Sequence, residues 1–200
     1  DYGVNWRRVH TATGEVPALA YASADPRMMY GPKWGGGGGF VRSTDGGETW
    51  IIEEFSPHQD SLFFNTGGGI DFTHHDFAMT LRMNNYKKGY SQFYVSYDRA
   101  KLWKGPFSLP TFGQQWIAAR TDYIINDMHD CFAFLTASKS NRDEGRAFVS
   151  HTSDGGKSWQ FMSWITPEPE GFTIMPSSLR LSATEIITAI RIKENDKGWI

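Results

Sequence analysis

One eight-position pattern returns along this 200-residue chain at nearly even spacing, and it constrains the fold more than any other feature. Ser43-Thr44-Asp45-Gly46-Gly47-Glu48-Thr49-Trp50 comes back as Thr152-Ser153-Asp154-Gly155-Gly156-Lys157-Ser158-Trp159. A weaker copy, Ser96-Tyr97-Asp98-Arg99-Ala100-Lys101-Leu102-Trp103, lies between them, with Ala100 where the others have glycine. The pattern is S/T-x-D-x-G-x-x-W, and its aspartates are 53 and 56 residues apart. The structural unit is therefore a little over fifty residues long.

Strand-like runs flank each copy, for instance Phe40-Val41-Arg42 before the first and Trp50-Ile51-Ile52 after it, which makes the pattern the turn of a β-hairpin. The hydroxyl and the carboxylate can accept hydrogen bonds from amides inside the turn, glycine supplies positive φ, and the tryptophan packs under the corner. Upstream of each copy lies another apolar run: residues 18–22, 77–82 and 131–136, with a fourth at 186–191 that opens a further unit. Before two of these, Gly69-Ile70-Asp71-Phe72-Thr73 and Arg120-Thr121-Asp122-Tyr123-Ile124-Ile125 read as additional strands. Four strands per repeat, with no helical periodicity anywhere, is the arithmetic of a propeller blade. The 21 Gly, 8 Trp, 8 Tyr and 14 Phe suit short strands, tight turns and aromatic packing.

Several functions are disfavoured by composition. A net charge of -2 with no basic run gives no electrostatic reason to expect nucleic acid or an anionic membrane as partner. No apolar stretch is long enough for a membrane span. Cys131 is the single cysteine, so an intrachain disulfide and a cysteine metal cluster are both impossible, and it reads as a buried small hydrophobe. His74-His75-Asp76 and His129-Asp130 resemble metal or acid/base clusters. Each precedes the second strand of its unit, however, so the recurrence reads as a shared corner, and neither a metal nor another cofactor is expected. The five-glycine run at 35–39 is followed by no Gly-Lys-Ser/Thr and no helix, so it reads as a flexible strand connection and not as a phosphate loop.

The three turns resemble the Asp-boxes, or bacterial neuraminidase repeats, of the sialidase superfamily, whose enzymes are mostly six-bladed β-propellers. On this resemblance Ser43, Asp45, Gly47 and Trp50 form the first box, Ser96, Asp98 and Trp103 the second, and Thr152, Asp154, Gly156 and Trp159 the third. The expected fold is all-β, a propeller of four-stranded blades in one domain over residues 1–200, with blades near 1–55, 56–110, 111–167 and an incomplete 168–200. At this blade length the chain is expected to be a fragment of about three and a half blades. The resemblance implies a glycoside hydrolase of sialidase-like type, exo-acting on a terminal sugar such as the acidic sialic acid. The alternative is a non-catalytic propeller that binds a glycan or a protein. Association with exported glycan-processing propellers implies an extracellular or periplasmic address.

Sialidases grip the substrate carboxylate with three arginines and use a tyrosine nucleophile with an aspartate acid/base, on the face opposite the boxes. The segment from Met175 to Arg191 resembles the strand–turn–strand that ends in a triad arginine, which makes Arg191 that candidate. Met175 and Pro176 stand where a glutamate is expected, and no Phe-Arg-Ile-Pro signature is present. Blade position adds Arg82 and Arg120 as substrate-binding cations, with a solvated strand-end charge as the other reading. Asp71 and Asp122, on presumed channel strands, are acid/base or sugar-hydroxyl candidates, or else structural carboxylates. Tyr123 is a nucleophile, a stacking aromatic or a core residue. Asp25 follows the presumed second strand of the first unit, about where the acid/base is carried, and Asp25-Pro26 is equally a turn initiator. Lys139 ends a second strand as Arg82 does, and its exposed, solvated reading is favoured.

Overall fold

A computed structural model describes residues 20–22, 25–32, 40–53, 57–58, 68–83, 90–120, 122–194 and 197–199. These residues are all-β with no helix, so none contains a helix long and apolar enough to cross a membrane. The glycine run at 35–39 lies outside them.

Four sheets follow one another along the chain. The first is β1 (Ala20–Ala22), β2 (Asp25–Pro32), β3 (Phe40–Ser43) and β4 (Ile51–Glu53), an antiparallel meander in chain order. The second holds β5 (Pro57–His58), β6 (Ala78–Met83), β7 (Ser91–Ser96) and β8 (Trp103–Ser108). Its order is β5-β8-β7-β6, with the two-residue β5 lying parallel along β8 and so covering that edge. The third is β10 (Tyr123–Asp127), β11 (Asp130–Ser138), β12 (Glu144–Thr152) and β13 (Gln160–Trp164), and β9 (Ile117–Ala118) pairs with the far end of β11. The fourth is β14 (Phe172–Arg180), β15 (Ile186–Glu194) and β16 (Lys197–Trp199).

The two-residue alternation of strands decides what lies between the sheets. Met79, Leu81, Phe93 and Val95 of the second sheet meet Cys131, Ala133, Leu135 and Ala137 of the third in one buried cluster. Each fully buried side chain of Leu or Phe size contributes roughly 1.5–3 kcal/mol, so this seam is the main apolar store of the described chain. The opposite face of the second sheet, Ala78 and Tyr94 with Trp103 and Ala100 of the same sheet and its turn, packs with Met28 of the first sheet. The other face of the third sheet meets β14, where Thr173 Oγ1 accepts the Ala147 amide at 3.2 Å. The sheets thus stack face to face in chain order, as propeller blades do.

The repeated turn joins the third and fourth strands in all three complete sheets. In each, the hydroxyl of Ser43, Ser96 or Thr152 accepts the amide four residues on, at 2.8, 2.9 and 2.9 Å, and donates to the aspartate two residues on. The aspartate caps the far side: Asp45 accepts Thr49 N and Thr49 Oγ1, and those bonds with that of Ser43 hold its carboxyl down to about 2. The degenerate copy keeps the same backbone, with Arg99 and Ala100 at φ 63° and 64° where the first turn has Gly46 and Gly47 at 78° and 89°. A single amide clamps each turn to the entrance of the second strand: Gly46 N to Arg27 O, Arg99 N to Asp76 O, Gly155 N to His129 O. The two His-Asp stretches therefore sit at one recurring corner, on the turn side of their sheets.

Two strand expectations fail. Residues 69–73 form no strand, because their backbone is engaged by the third sheet: Ile70 N donates to Gly155 O and Phe72 N to Met128 O, both at 2.8 Å. Asp71 Oδ1 also takes the amide and hydroxyl of Thr73, closing a local turn. In the first sheet the second strand is β2, not the run at 18–22, whose described part is β1; Tyr21 pairs with Met29.

Candidate functional site

The first strands of the third and fourth sheets bring together the group with most chemical potential. Asp122 immediately precedes β10, and its carbonyl accepts the Phe134 amide at 3.0 Å, which fixes it midway along the long strand β11. Its carboxylate points to the fourth sheet, where Ser178 of β14 donates its amide to Oδ1 at 3.2 Å and its hydroxyl to Oδ2 at 2.8 Å. Ser178 Oγ in turn lies 3.0 Å from Thr188 Oγ1 on β15. Burial pushes the Asp122 carboxyl up to about 6, and the two Ser178 bonds only partly offset that. A group so placed exchanges a proton near neutrality, as a general acid or base must.

Ser178 and Thr188 were not singled out from the sequence. The available signal was weak, a hydroxyl pair in strands that themselves face another sheet, and only the pairing of Ser178 with Thr188 across β14 and β15 makes them one cluster. Below it, Asn126 donates to Asp130, Arg180 donates to Asn126 Oδ1, and His151 Nε2 lies 3.0 Å from Asp130 Oδ1.

The other sequence candidates are dispersed. Asp25 begins β2 and so sits at the turn side, opposite the side expected for it; its carboxylate takes the Arg27 amide at 3.0 Å and the Arg27 guanidinium at 3.2 Å. The displacement follows from the strand shift in the first sheet, which makes Asp25 the entrance of the second strand. Asp71 lies on the docked loop and not on a channel strand; its amide donates to Tyr97 Oη at 3.1 Å. Tyr123 packs against the central cluster, edge-on to Phe77, and its hydroxyl accepts the Met79 amide at 3.3 Å. That is the core reading of Tyr123.

The arginines are dispersed: two stand on different sheets and one between strands. Arg82 lies near the end of β6, opposite Gln92. Arg120 lies in the break between β9 and β10, two residues before Asp122. Arg191 is on β15 opposite Ile174, exposed, with its guanidinium 5.9 Å from the Phe172 ring. Met175 and Pro176, where a glutamate was expected, form a bulge in β14 between Ile174 and Ser177, with Met175 at φ 54°. Lys139 is not solvated: it is 8% exposed, and its Nζ donates to the carbonyls of Pro169, Glu170 and Gly171 at 3.2, 2.9 and 2.5 Å. Among the described residues no three His, Cys, Asp or Glu side chains are placed to hold a metal ion.

No family model matches the chain, and no curated protein matches it. Among solved structures it is similar to the GH32 beta-fructofuranosidase BmSUC1 of Bombyx mori, at 14% identity and a TM-score of 0.51, over 89% of this chain and 41% of that one. YCF48 from Cyanidioschyzon merolae matches at 14% identity and a TM-score of 0.39, over 80% and 45% of the two chains. A protein of unknown function from Dyadobacter fermentans matches at 16% and 0.44, over 84% and 53%. The chain spans about half the length of these structures. The likeness to BmSUC1 shows a fold, of propeller type, and nothing about chemistry.

Proposed function

We propose that this chain is part of a sialidase-like glycoside hydrolase, acting on a terminal and acidic sugar of a glycan, with Asp122 as its acid/base group. One observation carries the reading: a half-buried carboxyl at the entrance of β10, raised to about 6 and oriented by two hydrogen bonds from Ser178. A carboxylic acid of that strength can give its proton to a glycosidic oxygen as the bond breaks and recover it from water afterwards. Arg120, two residues away, is the nearest of the candidate cations along the chain and is assigned to the substrate carboxylate.

The test is Asp122→Asn, which keeps the shape and the contact to Ser178 N. Release of 4-methylumbelliferone from its sialoside is expected to fall by roughly 10²-fold or more, the usual worth of a positioned acid/base. Wild-type rates in the variant would remove Asp122 from the chemistry.

A second reading, a non-catalytic propeller that binds a glycan, is favoured by one finding: Asp25, Asp71 and Tyr123 are all engaged in local structure. Glycan-array binding by a wild-type protein that releases no fluorophore from any glycoside would select it.

A further inference from the structure

Behind the Ser178 hydroxyl that meets Asp122 stands a second hydroxyl of the fourth sheet. Ser178 and Thr188 lie opposite each other across β14 and β15, so their side chains share a face, and their oxygens are 3.0 Å apart. The next pair in the register, Leu179 and Ile187, points the other way and is 63% and 56% exposed. The bulge at Met175 and Pro176 settles which of two adjacent serines turns inward. β14 carries two residues between the paired Ile174 and Ser177, and β15 carries one between Arg191 and Ala189. One extra residue on a strand reverses the face of everything beyond it, so Ser178 reaches Asp122 and Ser177 is left exposed.

The count of hydrogens fixes the direction of the chain. A serine hydroxyl has one hydrogen to give and lone pairs to accept with. Ser178 gives its hydrogen to Asp122 Oδ2 at 2.8 Å, so in its contact with Thr188 it must accept. The ionised carboxylate therefore ends a line of two donors, Thr188 Oγ1 to Ser178 Oγ to Asp122 Oδ2. Each bond in such a line polarises the next, and the gain is larger when the final acceptor carries a charge. A protonated Asp122 forfeits that gain.

We propose that Thr188 is a positioning residue for Asp122: its hydroxyl donates to Ser178 Oγ, holds the serine hydrogen on Asp122 Oδ2 and so favours the ionised carboxylate. Burial and the Ser178 bonds set the proton affinity of Asp122, with no charged neighbour contributing. The ionisable groups on the surrounding elements are turned elsewhere. Tyr123 joins the central cluster, Asp130 of β11 meets His151 of β12, Arg180 of β14 donates to Asn126 and Ala183, and Arg191 of β15 lies over Phe172. A role for Thr188 in catalysis rests on Asp122 being the acid/base, whereas its hold on the Asp122 proton does not.

The experiment is a pH titration of the whole chain, labelled with carboxyl-¹³C aspartate and followed by NMR, with the Asp122 signal assigned by its loss in Asp122→Asn. Ser178→Ala keeps the amide bond and loses the hydroxyl, and its Asp122 midpoint is expected about 1 above wild type. Thr188→Val, nearly the same shape, is expected about 0.5 above wild type, and Thr188→Ser, which restores the hydroxyl, at the wild-type midpoint. Because Thr188 acts through Ser178, adding Thr188→Val to Ser178→Ala is expected to move the midpoint no further. A wild-type midpoint in Thr188→Val would overturn the proposal. So would a Thr188→Ser midpoint as high as that of Thr188→Val, which would trace the effect to packing, or a further rise in the double variant. A chain that hydrolyses no glycoside yet titrates in this order would sink the proposed activity and keep the role of Thr188.

Discussion

Ser178 reaches from β14 to Asp122 beside β10, its amide 3.2 Å from one carboxylate oxygen and its hydroxyl 2.8 Å from the other, so that one acid joins two sheets. Because burial raises this carboxyl to about 6, the folded protein holds a proton there that the unfolded chain, with an ordinary carboxylate near 3.8, has released. Between those values the folded state binds more protons than the unfolded one, so stability contributed by the site is full below about pH 4 and falls as pH rises through about 6. Asp122→Asn abolishes that dependence. Relative to wild type, the variant is expected to gain on the order of 2 kcal/mol between pH 4 and pH 7.5, read from urea denaturation at the two pH values. A wild-type-minus-variant difference that does not change with pH would refute the assignment.

Equivalent glycines of two repeated turns are expected to differ in what a methyl group costs. At Gly46, φ is +78° and a Cβ meets nothing within 4 Å, so Gly46→Ala carries only the left-handed penalty, about 1 kcal/mol. At Gly155 a Cβ would lie 2.5 Å from Ile70 N and 2.9 Å from Gly69 C, both backbone. Gly155→Ala must therefore push the 69–72 loop off the third sheet and lose the Ile70 bond, for roughly 3 kcal/mol or more in thermal or urea unfolding. Equal losses at the two positions would mean that the loop does not dock as described.

The middle turn tests the reverse. Arg99 sits at φ 63°, a conformation that costs a non-glycine residue about 1 kcal/mol, and its exposed ion pair with Asp76 returns less than that. Arg99→Gly is expected to stabilise by roughly 0.5 kcal/mol. Ala100→Gly gains the same relief but loses a methyl packed among Met28, Ala78 and Trp103, worth about 0.8 kcal/mol, and is expected to come out near neutral. Chemical denaturation of both variants checks the pair; a loss above about 1 kcal/mol for Arg99→Gly would contradict the account.

Lys139→Met is expected to cost about 3 kcal/mol, since it leaves three carbonyls of residues 169–171 without their shared donor while preserving the buried stem. Amide hydrogen exchange should show the loosening in 165–171 first, because that segment is held to the 139–140 loop also by Glu168 accepting from Ser140. A variant as stable as wild type would show that the carbonyl cage contributes nothing.

What the sequence determined by itself is local and periodic. The S/T-x-D-x-G-x-x-W spacing named the hairpin corner, and the apolar runs at 77–82, 131–136 and 186–191 marked β6, β11 and β15, because turn chemistry and strand-forming runs depend on residues a few positions apart. It also foretold that the His-Asp stretches share a corner. The site was less legible, since its members come from strands far apart in the chain: Asp122 was named, but Ser178 and Thr188, which define its environment, meet it only through sheet packing. Tertiary structure alone decided that residues 69–73 give up a strand to bind the turn of the next sheet, that Lys139 is buried under three carbonyls, and that Asp25 lies on the turn side. In each case the deciding partner is a backbone amide or carbonyl, or a shift in where a strand begins. Every residue carries the same backbone groups, so no pattern of side chains in the sequence records which of them will be met.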